Sequence, residues 1–428
     1  MKKISLAVFL LSSFWLGAQF KVEGQLQNYP SKPVLIKIYE NGGNRLVKRV
    51  ETDKKGSFSY QHPQAYTGKM IFELSQGALE IVVDNRAVNF STDVNDSSHQ
   101  IHITQGIQKE INEAFALADK AYLRDHTLME LQKLYTPQDE FYQALQKEIE
   151  RINKLAHKQF ENSAIQYYVD AMNEMAQYNS GNMSHAEILT NSKNHLLMDN
   201  MNLENFGLLQ GFLSTYVSYS LGGARNKEEA GQKIVKALDD LLAEAQTDTS
   251  RGQAILTNII PLLEGNGFVA EANNYMQQAE SLTCEISDDL KDLIAGKNNV
   301  KIGNKVPNID FEGKVKSAKS LYDIQANQKL LVFWASWCPH CVNEIPHLKA
   351  FYPDFKAKGG EMIAISLDIE RQPYEDAIRG SEWINYSDLM KWESPLVSKF
   401  GISSTPTFIL LDKDNKVIKT GSRISEFL

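Results

Sequence analysis

Cys338 and Cys341 stand either side of Pro339 and His340, and the string Phe333-Trp334-Ala335-Ser336-Trp337 leads into them. The lead-in reads as the end of an apolar strand, and the residues beyond it as the opening of a helix. Two thiols three positions apart at such a point can close a small disulfide ring. The first lies at the positive end of the helix dipole, where free backbone N–H groups stabilise a thiolate; the second sits one turn inside and shielded. One reactive and one resolving thiol is what dithiol–disulfide exchange requires. Cys338 is therefore expected to be solvent-accessible with a depressed pKa, and Cys341 to be buried. The same spacing serves a structural disulfide or half of a zinc site, although one Cys-x-x-Cys without a second pair is a poor zinc site. His340 and His347 could complete it on paper, but His347 is more simply a helix-surface residue.

The remaining candidates are few. Trp334 and Trp337 read as residues that pack and shape the site. Cys284, after Ser281-Leu282-Thr283 near a helix boundary, reads as an inert, partly buried thiol; an intermolecular bridge or a redox partnership with Cys338 are the sharper options. The other histidines show no metal spacing. No metal or bound cofactor is expected, the redox-active group being the Cys338–Cys341 pair itself.

The elements that must position these residues follow from the rest of the chain. At 428 residues it exceeds one hydrophobic core, so two or three domains are expected. A net charge of -8 with no evident basic face argues against a nucleic-acid partner. Lys2 and Lys3, an apolar run from Ile4 to Leu16 and the small pair Gly17-Ala18 read as a signal peptide over residues 1–18. The run is too short to span a bilayer, an uncleaved anchor is the alternative, and no cysteine follows it to carry a lipid. Three cysteines are too few for a disulfide framework, so an exported chain of this kind folds by core packing.

Period-two patterning, with Val34, Ile36 and Ile38 on one face and Leu35, Lys37 and Tyr39 on the other, and turn chemistry at Asp53-Lys54-Lys55-Gly56, predict a β-sandwich over residues 19–105. A 3.6 period follows, predicting an all-α domain over 106–296. There Thr136-Pro137 starts a helix with Phe141, Leu145, Ile149, Ile152 and Leu155 on one stripe, and breaks fall near Asn179-Ser180-Gly181, Gly222-Gly223 and Gly265-Asn266-Gly267. Gly296-Lys297-Asn298-Asn299 reads as a linker. From Ile302 strands and helices alternate: strands at Lys329–Trp334, Glu361–Leu367, Thr407–Leu411 and Lys416–Thr420, and a helix at Asn343–Phe355. This is an α/β plan over residues 297–428.

Two segments carry a family resemblance. The Trp337-Cys338-Pro339-His340-Cys341 string, and Gly401-Ile402-Ser403-Ser404-Thr405-Pro406-Thr407-Phe408-Ile409-Leu410-Leu411-Asp412, resemble the thioredoxin superfamily's active-site motif and its cis-proline segment with the strand beyond. The resemblance implies a cis Thr405–Pro406 bond facing the disulfide, with backbone there to pair with an extended substrate. Within the superfamily the likeness is to the exported TlpA/ResA-like group. Ile302-Gly303-Asn304-Lys305-Val306-Pro307-Asn308 resembles that group's lead-in. Pro406 lies 65 positions after Cys341, leaving room for an extra helix and strand, and Glu344 matches an acidic position. The resemblance covers about 120 residues, Lys301 to Thr420. Val332 stands where thioredoxin has a buried aspartate, so Glu344 becomes the candidate proton acceptor for Cys341; a carboxylate serving only the helix dipole is its other reading. The final helix of the superfamily can only be very short or absent. Pro339-His340 is the pair of DsbA-type oxidases, and a histidine there favours the Cys338 thiolate and a more oxidising disulfide.

The resemblance implies a periplasmic thiol-disulfide oxidoreductase acting on protein thiols and disulfides as a reductase, served by a membrane electron donor or acceptor. A dithiol oxidase or isomerase is the alternative within the class. From another class, the rival is a binding module whose thioredoxin domain only regulates. The first two thirds of the chain show no catalytic signature and read as a scaffold for dimerisation, docking or substrate presentation.

Overall fold

The computed structural model describes residues 20–96, 100–156, 158–178, 183–198, 200 and 202–427. The predicted signal peptide and the break at Asn179-Ser180-Gly181 lie outside them. Among the described residues up to Gln105 there are eight strands: β1 (Phe20–Gln27), β2 (Pro33–Glu40), β3 (Gly43–Glu51), β4 (Ser57–His62), β5 (Thr67–Glu73), β6 (Ala78–Asp84), β7 (Val88–Asp93) and β8 (His102–Gln105). They make two four-stranded sheets, ordered β4-β1-β7-β8 and β3-β2-β5-β6. Helices follow: α1 (Ile107–Gln132), α2 (Glu140–Ala156), α3 (Ser163–Tyr178), α4 (His185–Leu196), α5 (Asn202–Asn205), α6 (Leu209–Ser220), α7 (Lys227–Ala245), α8 (Ser250–Gly265), α9 (Val269–Glu280) and α10 (Asp288–Asn299). The last third holds β9 (Gln328–Trp334), α11 (Pro339–Ala357), β10 (Gly360–Ser366), α12 (Arg371–Ala377), β11 (Ile384–Tyr386), α13 (Pro395–Lys399), β12 (Thr407–Asp412) and β13 (Val417–Gly421).

These elements divide into two compact units. One runs up to Ser31 and adds Thr52–Gly68 and Ile81–Gln166; the other comprises Lys32–Glu51, Lys69–Glu80 and Tyr167–Leu428. In the first unit Gly24 of β1 pairs with Phe58 of β4 and Phe90 of β7. The two rings meet edge to face at 5.9 Å over the glycine, where a Cβ would stand 2.3 Å from Phe58. Helix α2 begins three residues later than the Thr136-Pro137 pair predicts. Those residues form a turn in which the Thr136 N–H donates to Asp139 Oδ2 at 2.7 Å. Leu145, Ile149 and Ile152 are buried as the stripe predicts, but Phe141, the second residue of α2, is 50% exposed and meets Tyr135 edge-on.

The second unit comprises strands β2 and β3, most of β5 and α3, helices α4–α10 and the C-terminal domain. The predicted linker is not one: Gly296–Asn299 is the last turn of α10. A Cβ on Gly296 would lie 2.3 Å from the Ser398 carbonyl and 3.0 Å from Gly401 Cα. The glycine that suggested flexibility instead lets two backbones touch, seating α10 against the segment after α13.

The C-terminal domain is a five-stranded sheet ordered β11-β10-β9-β12-β13. Strand β9 is parallel to β10 and antiparallel to β12. Both faces of β9 are covered, as expected of a central strand. Leu331 and Phe333 join a core with Val306, Phe311 and Ile409, while Leu330, Val332 and Trp334 pack under α11 with Leu348, Tyr352 and both cysteines. The Ile302–Asn308 lead-in runs along β13, with Gly303 N–H donating to Val417 O at 2.8 Å. The space before Pro406 holds α12 and β11, and a 3-10 turn, Ile424–Phe427, follows β13. Among the described residues no helix is long and apolar enough to cross a membrane. Gly296→Ala should lower stability by about 1–3 kcal/mol, read from the thermal or urea midpoint, because the added methyl meets backbone on both sides.

Candidate active site

Cys338 is the N-cap residue of α11, and Pro339 occupies the first helical position, where its missing N–H costs nothing. The Cys338 sulfur takes the place of a capping oxygen: the Cys341 backbone N–H donates to it at 3.4 Å. From the other side comes the turn before β12. The Thr405–Pro406 bond is cis, and the Thr405 carbonyl lies 3.4 Å from the Cys338 sulfur, accepting from the thiol form. Both cysteines are free thiols here.

Cys338 keeps only 5% of its surface exposed, against the expectation of an accessible thiol; the Thr405–Pro406 turn and the core under α11 cover it. The two thiols are separated by their surroundings more than by depth. Burial works against the Cys338 thiolate, but hydrogen bonds from the Cys341 and Thr405 side chains and the Cys341 and His340 backbone N–H groups outweigh it, holding the thiol below its ordinary range. Burial pushes Cys341 up to about 12, and the neighbouring Cys338 adds to the rise.

The loop before Cys338 is pinned by a residue that sequence reading missed. Buried Asp368, just past β10, accepts from the Ser336 hydroxyl at 2.6 Å and its backbone N–H at 3.2 Å, and from the Ser366 hydroxyl at 2.5 Å. Trp337 Nε1 donates to the Leu367 carbonyl at 3.2 Å, and Leu367 N–H to Trp334 O at 2.7 Å. Leu367 reads in the sequence only as the end of an apolar strand, and Asp368 follows it with no polar partner in register to mark it.

His340, Glu344, His347, Thr405, Pro406 and Phe427 line one groove of about 1010 Å³. Beneath it a cavity of about 20 Å³ is bounded by Cys341, Glu344, Val332, Trp334 and Pro406. Among the described residues the buried Trp334 Nε1 has no hydrogen-bond partner. Glu344 touches both spaces, and its Oε2 accepts from the Ile424 N–H at 2.9 Å. It lies in the second turn of α11, since the helix starts at Pro339, so the first-turn dipole reading does not hold. Cys284 lies in the loop between α9 and α10, where Gln253 Nε2 reaches its sulfur at 3.7 Å, and it does not line the Cys338 groove. Among the described residues no cluster of His, Cys, Asp and Glu is disposed to hold a metal.

The C-terminal part of the chain is similar to known proteins. A family model described as thioredoxin-like matches residues 329–417. The thiol-disulfide oxidoreductase ResA of Bacillus thuringiensis is 32% identical over 135 residues, 30% of this chain and 73% of that protein. ResA of Bacillus subtilis is 25% identical over 127 residues, covering 70% of it. The chain belongs to the TlpA/ResA-like group of the thioredoxin superfamily. It is a thiol-disulfide oxidoreductase, acting on protein thiols and disulfides. A solved thiol-disulfide oxidoreductase from Bacteroides fragilis is 26% identical and aligns with 29% of this chain and 100% of its own, at a TM-score of 0.26.

In this ResA-like protein, alkylation at neutral pH followed by peptide mapping should label Cys338 well before Cys341. The Cys338 rate should climb with pH below the ordinary thiol range, while Cys341 stays protonated until about pH 12. Labelling of Cys341 first would reverse the two roles.

Proposed function

We propose that the protein reduces disulfides of exported proteins in the periplasm through the Cys338-Pro339-His340-Cys341 pair. The observation that carries the reading is the Cys338 sulfur capping α11 opposite the Thr405 carbonyl. The substrate strand lies in the groove, its backbone alongside Thr405. The Cys338 thiolate attacks one substrate sulfur; the substrate S–S bond breaks, a mixed disulfide forms, and the departing sulfur takes a proton. Cys341 then loses its proton and attacks the Cys338 sulfur. The mixed disulfide breaks, the second substrate thiol leaves, and the Cys338–Cys341 disulfide remains. A dithiol donor at the membrane returns it to the reduced state. The redox group is the cysteine pair itself.

With Val332 in the position beneath Cys341, Glu344 is the acceptor for the Cys341 proton. The cavity between them is large enough for one water, which would bridge the carboxylate and the thiol. The proton passes to Glu344 directly or through that water. Trp337 and the cis turn shape the rim, and Pro339 starts the helix. A second reading, net oxidation or isomerisation, is favoured by one feature: every contact that stabilises the Cys338 thiolate stabilises the reduced state over the uncharged disulfide. Each pKa unit below ambient pH is worth about 1.4 kcal/mol, or about 30 mV, and His340 on the exposed first turn adds to it when protonated.

Insulin reduction should be lost in Cys338→Ser; undiminished activity there would end the exchange reading. Glu344→Gln keeps an oxygen for the Ile424 N–H and so the fold, but should slow release of the mixed disulfide by about 100-fold and flatten its pH profile. His340→Ala should make the pair more reducing by roughly 10–40 mV in a glutathione titration. A potential that stays put would assign the poise to the helix N-terminus alone.

A further inference from the structure

A chain of four charged side chains runs from the N-terminal sheet to the residue before Cys338. Lys37 of β2 is 2.6 Å from Glu73 Oε2 and 2.9 Å from Glu393 Oε1. The other oxygen of Glu73, at the end of β5, is 2.9 Å from Lys391 Nζ, which also donates to the Leu74 carbonyl at 3.1 Å. Lys391 Nζ then lies 5.3 Å from the centroid of the Trp337 indole. The four side chains are between 8 and 14% exposed.

The backbone carrying Lys391 is strained. Leu389 and Lys391 both adopt left-handed conformations, φ 62 and 54, which side chains of their size avoid. The sheet holds the segment in that shape: Arg49 of β3 donates to the Leu389 carbonyl at 2.6 Å, Glu73 and Leu74 hold Lys391, and Lys37 holds Glu393. Trp337 is thus fixed at its N–H edge by Leu367, flanked edge-on by Trp392 at 6.4 Å, and faced by a buried cation.

We propose that Lys391 is a positioning residue of the redox centre, clamped over Trp337 by Glu73 of the N-terminal sheet, so that the sheet is part of the active site. This rests on the reading of Cys338 and Cys341 as the exchanging pair. A positive charge held on this side favours the Cys338 thiolate and hence the reduced form. Two opposite changes of net charge should then act in the same direction. Lys391→Met removes the cation. Glu73→Gln removes its anchor, and a lysine without its buried carboxylate partner swings out to solvent, so the cation leaves the indole as well.

The test is the equilibrium with glutathione, in which one glutathione disulfide and the dithiol give the Cys338–Cys341 disulfide and two glutathiones. Both variants should favour the protein disulfide over wild type by about 3- to 10-fold in the equilibrium constant. Folding is read by circular dichroism. Where a single variant fails to fold, the Lys391→Met/Glu73→Gln double variant, which leaves the Lys37–Glu393 pair balanced, carries the same expectation. A folded Glu73→Gln protein that shifts toward the reduced form shows only a through-space charge effect and overturns the clamp, as does a folded double variant with the wild-type constant. If the wild type itself forms no Cys338–Cys341 disulfide under glutathione disulfide, the exchange reading falls, and the Lys391 proposal with it.

Discussion

A sulfur atom in place of a helix-capping oxygen is the constraint around which the C-terminal domain is arranged. The helix offers free N–H groups at its start, and only one backbone position, that of Cys338, can receive them. Strand β9 must therefore end just before it, and the three intervening residues must be held rather than left to sample conformations. Asp368 and Leu367 do this from the neighbouring parallel strand. The antiparallel register of β12, with Thr407 opposite Phe333, brings the turn before β12 to the same end of the sheet. Strand order and register together place Thr405 over the sulfur. Cys341, one turn in, inherits the buried face of α11, and that placement pushes the two thiols apart in acidity.

The buried charges of the sheet follow a different logic. Pairs taken out of water add little net stability, yet losing one partner costs about 3–5 kcal/mol, because the other is left uncompensated. Glu73 shows the balance: burial raises its pKa, but Lys37 and Lys391 bring it below the ordinary carboxylate range. For Lys37, burial is outweighed by Glu393 and Glu73, and its pKa rises. The depressed carboxylate contributes stability above its unfolded pKa and loses it as pH falls through the folded value. The raised lysine contributes below its unfolded pKa and loses it as pH rises through the folded value. Between those limits Lys37 of β2 and Glu73 of β5 stay paired with Glu393 and Lys391 of the segment from Leu389 to Glu393.

The redox motif was legible because its chemistry is local: the cysteine spacing, the aromatic strand end and the proline at the first helical position lie within nine residues. Strands β9, β10 and β12 were legible as apolar runs, and the 65-residue interval foretold an inserted helix and strand. What escaped depends on contacts distant in sequence. Gly296 reads as a breaker unless Gly401 is known to lie against it. Asp368 looks like a strand-end acid until Ser336 is brought to it. Lys37, in period-two alternation, suits a solvent face, but that face carries Glu393 from more than 350 positions away. The burial of Cys338 has the same origin, since its cover comes from Thr405 and Pro406.

The relatives named above match about 30% of this chain, and the thioredoxin-like model covers residues 329–417, which hold α11, the cis turn and strands β9 to β12. The rim of the site is nevertheless built from both parts. Trp337 belongs to the motif, while Lys391, which faces it, owes its place to β2, β3 and β5. The C-terminal domain carries Leu389 and Lys391 in conformations that cost about 1–3 kcal/mol each, and the bonds that offset this come from Arg49, Glu73, Leu74 and Lys37. Without those strands the segment from Leu389 to Glu393 would relax toward ordinary backbone geometry, taking Lys391 and Trp392 from the indole. A C-terminal fragment would then keep the two thiols and the helix that activates one of them, but with a differently shaped approach to the sulfur. The thiols and the helix that activates one of them fall within the residues 329–417 matched by the thioredoxin-like model, and under the Lys391 proposal the face beside Trp337 owes its shape to strands outside that span.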